Sequence, residues 1–116
     1  MRCIRIILVT LLLASCSKYN QKIIVPVSSK SQKIILKSNN EGNIYSINIR
    51  CSGYVDGEAK IMLMLNEKSY KTKNISGNIS VIWGGDWYSD SATIIYKPIN
   101  ANKGEIEVEY KFNEIS

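Results

Sequence analysis

The chain contains no histidine among its 116 residues. Histidine is the usual general base of catalytic triads and dyads and the commonest protein ligand of transition metals. The sequence also lacks a cysteine pair at zinc-site spacing and a glycine-rich phosphate loop ahead of a helix. These absences argue against most nucleophilic, zinc-dependent and nucleotide-dependent enzymes.

Paired carboxylates are the one common catalytic arrangement that this composition leaves, and glycosidases use it. Two acidic pairs lie mid-chain, Asp56 with Glu58 and Asp86 with Asp90. Each lies beside a glycine-containing turn, where aspartate often accepts backbone hydrogen bonds. The same pairs are the candidates for calcium ligands. We expect them to be structural, and therefore expect no enzymatic activity, no cofactor and no metal site.

Long apolar runs are scarce, and the longest is at the start of the chain. Residues 6–14 are almost entirely apolar, follow Arg2 and Arg5, and lead into small residues. A helix that crosses a membrane needs about 20 apolar residues, roughly twice this length. Positive charge, a short apolar core and small residues form the order of a secretory signal. We expect residues 1–15 to be cleaved from the mature protein.

The four residues Leu13-Ala14-Ser15-Cys16 resemble the lipobox of bacterial lipoproteins. The resemblance implies that the Cys16 thiol is joined to diacylglycerol and that cleavage falls just before Cys16. Two or more acyl chains, at about 0.8 kcal/mol per buried CH₂, hold a protein stably at a membrane. Ser17 rather than Asp follows the cysteine, which resembles the pattern of enterobacterial lipoproteins exported to the outer membrane. We therefore expect a location in the bacterial cell envelope, in the outer membrane, with membrane lipid bound through Cys16.

Only three cysteines are present, and the first two belong to the leader (Cys3) and to the lipobox (Cys16). Cys3 is lost with the signal and Cys16 carries lipid, so Cys51 has no internal partner. An odd thiol in an oxidising compartment can be reactive or join another chain. Cys51 nevertheless continues the alternation of Ile47 and Ile49 along one strand face. Since free cysteine commonly behaves as a small apolar side chain, we expect Cys51 in the core.

The rest of the chain has the two-residue period of β-strands and no long helical stripe. In residues 105–112 apolar side chains alternate with charged ones, as in an antiparallel strand with one buried face. Further strands are predicted at 22–27, 32–37, 44–51, 58–65, 77–83 and 92–97, with a weaker one near Tyr70. We therefore predict an all-β fold, a single small antiparallel β-sandwich of seven or eight strands over residues 22–116. Residues 16–21 would form a lipidated tether.

Asp56-Gly57 has the sequence of a two-residue hairpin turn. Such a turn would place the apolar face of 44–51 on the same side as the less apolar face of 58–65, so a bulge at Gly53 or a longer loop must correct the register. Met62 and Met64 make the second strand apolar on both faces. Either a second layer covers them, which we favour, or they lie on an exposed face that meets a partner.

Both tryptophans lie in the segment WGGDWYSD, residues 83–90. Trp83 continues a strand face and is expected in the core. Gly84-Gly85 ends the strand, which places Trp87 and Tyr88 in a loop. The structural interpretation is that Trp87 folds back and plugs the end of the sandwich. The functional interpretation is an aromatic surface beside Asp86 that stacks on a sugar ring or anchors a protein interface.

Lysines outnumber arginines twelve to three and are spread along the chain, and two of the five net positive charges belong to the leader. Nucleic-acid binders cluster basic residues with aromatics, so we expect no nucleic-acid partner. The favoured function is a non-enzymatic protein-interaction module of the envelope, an accessory subunit or an inhibitor or immunity-type factor. The alternative is carbohydrate binding through residues 83–90, and a purely structural envelope protein is a third hypothesis.

Overall fold

The computed structural model describes residues 18–39 and 42–115, and Cys16 with the predicted leader lies outside them. Six strands make up most of this part of the chain. They are β1 (Gln21–Pro26), β2 (Gln32–Lys37), β3 (Asn43–Leu65), β4 (Lys68–Asp86), β5 (Ser91–Pro98) and β6 (Lys103–Ile115). The all-β prediction is confirmed, and every pairing between strands is antiparallel.

The sheet is organised around a long hairpin formed by β3 and β4. β6 pairs with the first half of β3, and β1 adds to its far side. β5 pairs with the second half of β3, and β2 adds to its far side. We call these two groups the first arm and the second arm, and each includes the adjoining half of β4. The sheet curls between them into half a barrel.

The predicted hairpin at Asp56-Gly57 is wrong, because β3 continues through it. The register between β3 and β4 changes there instead: Val55 lies opposite Gly77 and Glu58 lies opposite Ser76. The two extra residues form a bulge, whereas the predicted bulge at Gly53 is absent and, without the hairpin, is not needed. An insertion of two residues preserves the alternation of faces.

The odd-numbered side chains of β3 therefore face the core in both arms, which resolves the register conflict. They include Ile47, Ile49, Cys51, Val55, Ala59, Ile61 and Leu63, each at most 2% exposed. The predicted count of seven or eight strands is not confirmed. Two predicted strands form β3, and the weak strand near Tyr70 joins the one at 77–83 to form β4.

β3 bends at the bulge, over residues 56–58, and the connection between β5 and β6 fixes this bend. The carbonyl oxygen of Glu58 accepts hydrogen bonds from three consecutive backbone N–H groups, those of Ile99, Asn100 and Ala101, at 2.9–3.1 Å. The Asn100 side-chain oxygen accepts from the Glu58 N–H at 2.6 Å. Gly57 has a φ of +102°, and a Cβ there would lie 2.8 Å from the Ala101 Cα. Glycine is therefore required for the close approach of the two segments.

One apolar core fills the space inside the curl and takes side chains from all six strands. β6 contributes Ile106, Val108, Tyr110 and Phe112, which confirms its predicted inward face. Trp83 and Cys51 are also buried, as expected. The Tyr96 hydroxyl donates to the Ser28 carbonyl at 2.7 Å, so this buried phenol has a partner.

β1 and β2 bring the free edges of the two arms together without forming a ladder. Gln21 Nε2 donates to the Lys37 carbonyl at 3.0 Å, and Gln32 Nε2 donates to the Pro26 carbonyl at 2.8 Å. These contacts join both ends of the two strands. Within residues 18–39 and 42–115, no helix has the length and hydropathy needed to cross a membrane.

Candidate functional site

Trp87 closes the end of the curled sheet where β4 passes into β5. Its backbone N–H donates to the Tyr45 carbonyl at 3.2 Å, and its indole Nε1 donates to the Ser91 carbonyl at 2.9 Å. The side chain is only 5% exposed. The interpretation of Trp87 as a plug therefore describes its position, and the indole face is not an open surface.

Tyr88 points the other way and is 77% exposed. Tyr70 from β4 is 49% exposed, and its ring centroid lies 6.5 Å from that of Trp87 at an interplanar angle of 45°. Asp86 is exposed beside them. We call this surface the aromatic end; its members are Leu65, Tyr70, Asp86, Trp87 and Tyr88. Its accessible aromatic surface belongs to tyrosines, one of which the sequence analysis did not single out.

Two clefts flank the Trp87 side chain. A cleft of about 480 Å³ is lined by the aromatic end together with Asn66 and Ser89. The other, of about 400 Å³, includes Met64, Thr93 and Ile95 as well as Trp87. Met64 reaches this position because it lies opposite Thr93 in the β3–β5 ladder, near the start of β5. The structure thus brings Met64 and the aromatic loop, which are separate in sequence, to one region.

The turn between β3 and β4 forms one wall of both clefts. Asn66 and Glu67 have φ angles of 53° and 66°, and Leu65 pairs with Lys68 across them. Two successive positive φ values define a type I′ hairpin turn, which normally favours Asn followed by Gly. Sequence reasoning missed this turn because Glu67 stands where glycine is the usual signal. The asparagine was the available clue.

Met62 and Met64 lie on the outward face of the second arm, and both are half-buried. The ladders place Lys33, Ile95 and Met62 in one row across three strands. Ile35, Thr93 and Met64 form the next row. No second layer of described residues packs on this face, so the favoured expectation of coverage is not supported for residues 18–39 and 42–115.

Four lysines border these rows. Lys60 and Lys97 lie directly opposite one another in the β3–β5 ladder, and Lys33 and Lys37 lie on β2. Three of the four are exposed, and Lys60 is half-buried. We call this surface the methionine face; its members are Lys33, Ile35, Lys37, Lys60, Met62, Met64, Thr93, Ile95 and Lys97.

The first predicted acidic pair, Asp56 with Glu58, has structural surroundings. Asp56 lies 3.9 Å from the Lys103 ammonium, and Glu58 uses its backbone to hold the bend. In the described part of the chain, no group of three or more acidic, cysteine or histidine side chains is placed to hold a metal ion. Burial raises the pKa of the Cys51 thiol to about 12, so the nucleophilic thiolate is strongly disfavoured at neutral pH.

The chain matches no protein-family model, and comparison with curated proteins finds no relative in sequence. Two candidate surfaces differ in their geometry. The methionine face combines an apolar centre with a charged border, whereas the aromatic end combines tyrosines with one carboxylate and one cleft.

Proposed function

We propose that this chain is a lipid-anchored protein of the bacterial cell envelope that binds another protein and has no enzymatic activity. The methionine face is the observation that carries the proposal. An apolar centre within a polar border is the usual anatomy of a protein interface, in which methionine is enriched. In this proposal the two arms work as the two layers of the predicted sandwich, each with one outward surface.

The first described residues support an anchored orientation. Asn48 Nδ2 donates to the Lys18 carbonyl at 3.3 Å, and the Arg50 guanidinium lies 5.0 Å from the Tyr19 ring centroid. Residues 18 and 19 therefore lie over the outward face of the first arm. Cys16 precedes Lys18 by two residues, a reach of about 7 Å. An acylated Cys16 would hold the first arm near the membrane and leave the methionine face, on the other arm, accessible.

The anchor is tested by metabolic labelling with an azide-bearing palmitate analogue. We expect the wild-type chain to incorporate the label and Cys16→Ser to lose it. Cys3→Ser is the matched control, since the predicted cleavage removes that residue, and it should leave the labelling intact. Labelling that persists in Cys16→Ser would contradict the proposed anchor.

The binding function is tested by affinity capture from envelope extract with two single-residue variants. Met64→Asp places a negative charge at the centre of the methionine face and should abolish capture of the protein partner. Tyr88→Ala alters the aromatic end at a side chain that is 77% exposed, so the fold should tolerate it and protein capture should persist. Equal capture by Met64→Asp and the wild type would contradict a role for this face.

Carbohydrate binding remains the second candidate function, supported by the exposure of Tyr88 and Tyr70 beside Asp86. Stacking on a sugar requires an accessible ring, so the buried Trp87 would act by supporting these residues. Retention on immobilised peptidoglycan or surface glycan, lost in Tyr88→Ala and kept in Met64→Asp, would favour this function. The opposite pattern of dependence is expected for protein binding.

A further inference from the structure

We propose that the methionine face binds an acidic protein surface, whose carboxylates contact Lys33, Lys60 and Lys97. The inference rests on the proposed protein-binding function and specifies the chemistry of its partner. Three features of the structure support it: the distribution of ion pairs, the placement of two lysines opposite one another, and the apolar centre between the charges.

Ion pairing differs between the two arms. The three ion pairs among the described residues are Lys22–Glu107 at 4.0 Å, Arg50–Glu109 at 2.5 Å and Lys103–Asp56 at 3.9 Å. All of them involve the first arm or the bend. None of the four lysines of the methionine face takes part in one. The chain therefore neutralises the charge of one arm internally and leaves that of the other available.

Lys60 and Lys97 are directly opposite neighbours on adjacent strands. Their Cβ atoms lie within about 5.5 Å in such a pair, and like charges in this arrangement destabilise a sheet. The nearest carboxylate along β3 is Glu58 at the bend, and no ion pair joins it to either lysine. A carboxylate from a partner, bound between the two ammonium groups, would relieve the repulsion.

Ile35, Met62, Met64 and Ile95 give the acidic partner an apolar surface to cover. Three strands at about 4.8 Å spacing and four rows at about 6.8 Å give a face of roughly 14 by 27 Å. That area is about half of what one partner contributes to a standard interface. The charge pairs should therefore supply a substantial share of the binding, which makes it sensitive to salt.

A second copy of the chain is a poorer occupant. A symmetric dimer through this face would bring lysines against lysines. Packing it on the acidic β6 of another copy is not self-closing, and Glu107 and Glu109 are already paired there. A membrane surface is also disfavoured as the occupant of the methionine face, because residues 18 and 19, which follow the proposed anchor, contact the first arm. An acidic protein satisfies both the charge and the geometry.

The first test measures binding of fluorescent poly-L-glutamate to the full chain in non-ionic detergent, with poly-L-glutamine as the neutral probe. We expect Lys60→Gln/Lys97→Gln to weaken binding about five-fold or more. Lys22→Gln/Lys111→Gln removes the same charge from the first arm and should change it by less than about two-fold. Equal losses in both variants, or no binding by the wild type, would overturn the proposal.

Lipid is tested as a competitor in the same assay. Mixed micelles that contain phosphatidylglycerol should displace poly-L-glutamate no better than phosphatidylcholine micelles at equal concentration. Selective displacement by the anionic lipid would overturn the proposal in favour of a membrane surface.

A charge reversal separates binding from folding. Lys97→Glu replaces a repulsive cross-strand pair with an attractive one opposite Lys60, so the Tm should rise by about 1–8 °C. The same variant should lose poly-L-glutamate binding. A fall in Tm, or a stabilised variant that still binds like the wild type, would contradict the assigned role of these lysines.

Crosslinking to the native partner separates the acidic partner proposed here from the more general proposal of protein binding. A photo-crosslinking amino acid at position 62 is combined with Lys60→Gln/Lys97→Gln. Loss of the wild-type protein adduct in the lysine variant supports the acidic partner. An adduct of undiminished yield refutes it while the protein-binding function stands. The absence of any adduct from the wild-type background refutes both.

Discussion

Replacement of Gly53 by alanine should disrupt the first arm far more than its exposed position suggests. Gly53 has a φ of +142°, and a Cβ there would lie 2.0 Å from the Glu105 carbonyl oxygen. Relief of this contact requires β6 to move away from β3 by about 1 Å, because ordinary Cβ contacts exceed 3.0 Å. We expect the free energy of unfolding to fall by about 1–3 kcal/mol because of the backbone conformation, and by a further 1–3 kcal/mol because of the steric conflict.

Gly85 supplies the matched control. Its φ of +139° is nearly the same, but an added Cβ would meet nothing within 4 Å. Gly85→Ala should therefore lower the free energy of unfolding only by the contribution of the backbone conformation. Urea unfolding of the two variants, followed by tryptophan fluorescence, gives the difference in the free energy of unfolding. Equal destabilisation of Gly53→Ala and Gly85→Ala would refute the close approach of β3 and β6.

Three further predictions concern single residues. Trp87→Phe should lower the free energy of unfolding by about 1 kcal/mol or more in urea titrations, because it removes the indole hydrogen bond to the Ser91 carbonyl at 2.9 Å. Glu67→Gly should raise it by about 0.5–1 kcal/mol in the same titrations, since glycine relieves the positive φ of 66°. Cys51, with a folded pKa of about 12 against an ordinary 9.0, keeps a proton that the unfolded chain releases. Stability should therefore fall as pH rises from 9 to 12, less steeply in Cys51→Ala, and iodoacetamide should label the thiol only after unfolding.

The strands with clear alternation could be predicted from sequence alone. β2 was predicted at residues 32–37, and β6 was predicted with the correct inward face. The long β3 could not be predicted from sequence, because Asp56-Gly57 is a strong local hairpin signal and the true turn carries Glu67 in its second position. Whether a local signal becomes a turn or a bulge depends on the Glu58 contacts with residues 99–101, which are distant in sequence.

The sequence suggests Met64 and Trp87 as separate candidates, but it does not indicate that they lie together. Met64 and Trp87 line one cleft because β5 starts beside the end of β3. Lys33, Lys60 and Lys97 looked scattered along the chain, and only the register of three strands brings them together. Nonlocal register of this kind has no signature in a single sequence. The exposure of Tyr88 and the burial of Trp87 likewise depend on how one loop packs.

The most direct test of the account is photo-crosslinking in intact cells from position 62, compared with position 24. Ile24 is 45% exposed and lies on the outward face of the first arm, so it serves as the matched control position. We expect one discrete protein adduct from position 62 and none of that size from position 24. No adduct from position 62, or the same adduct from both positions, would contradict the methionine face as the protein-binding surface.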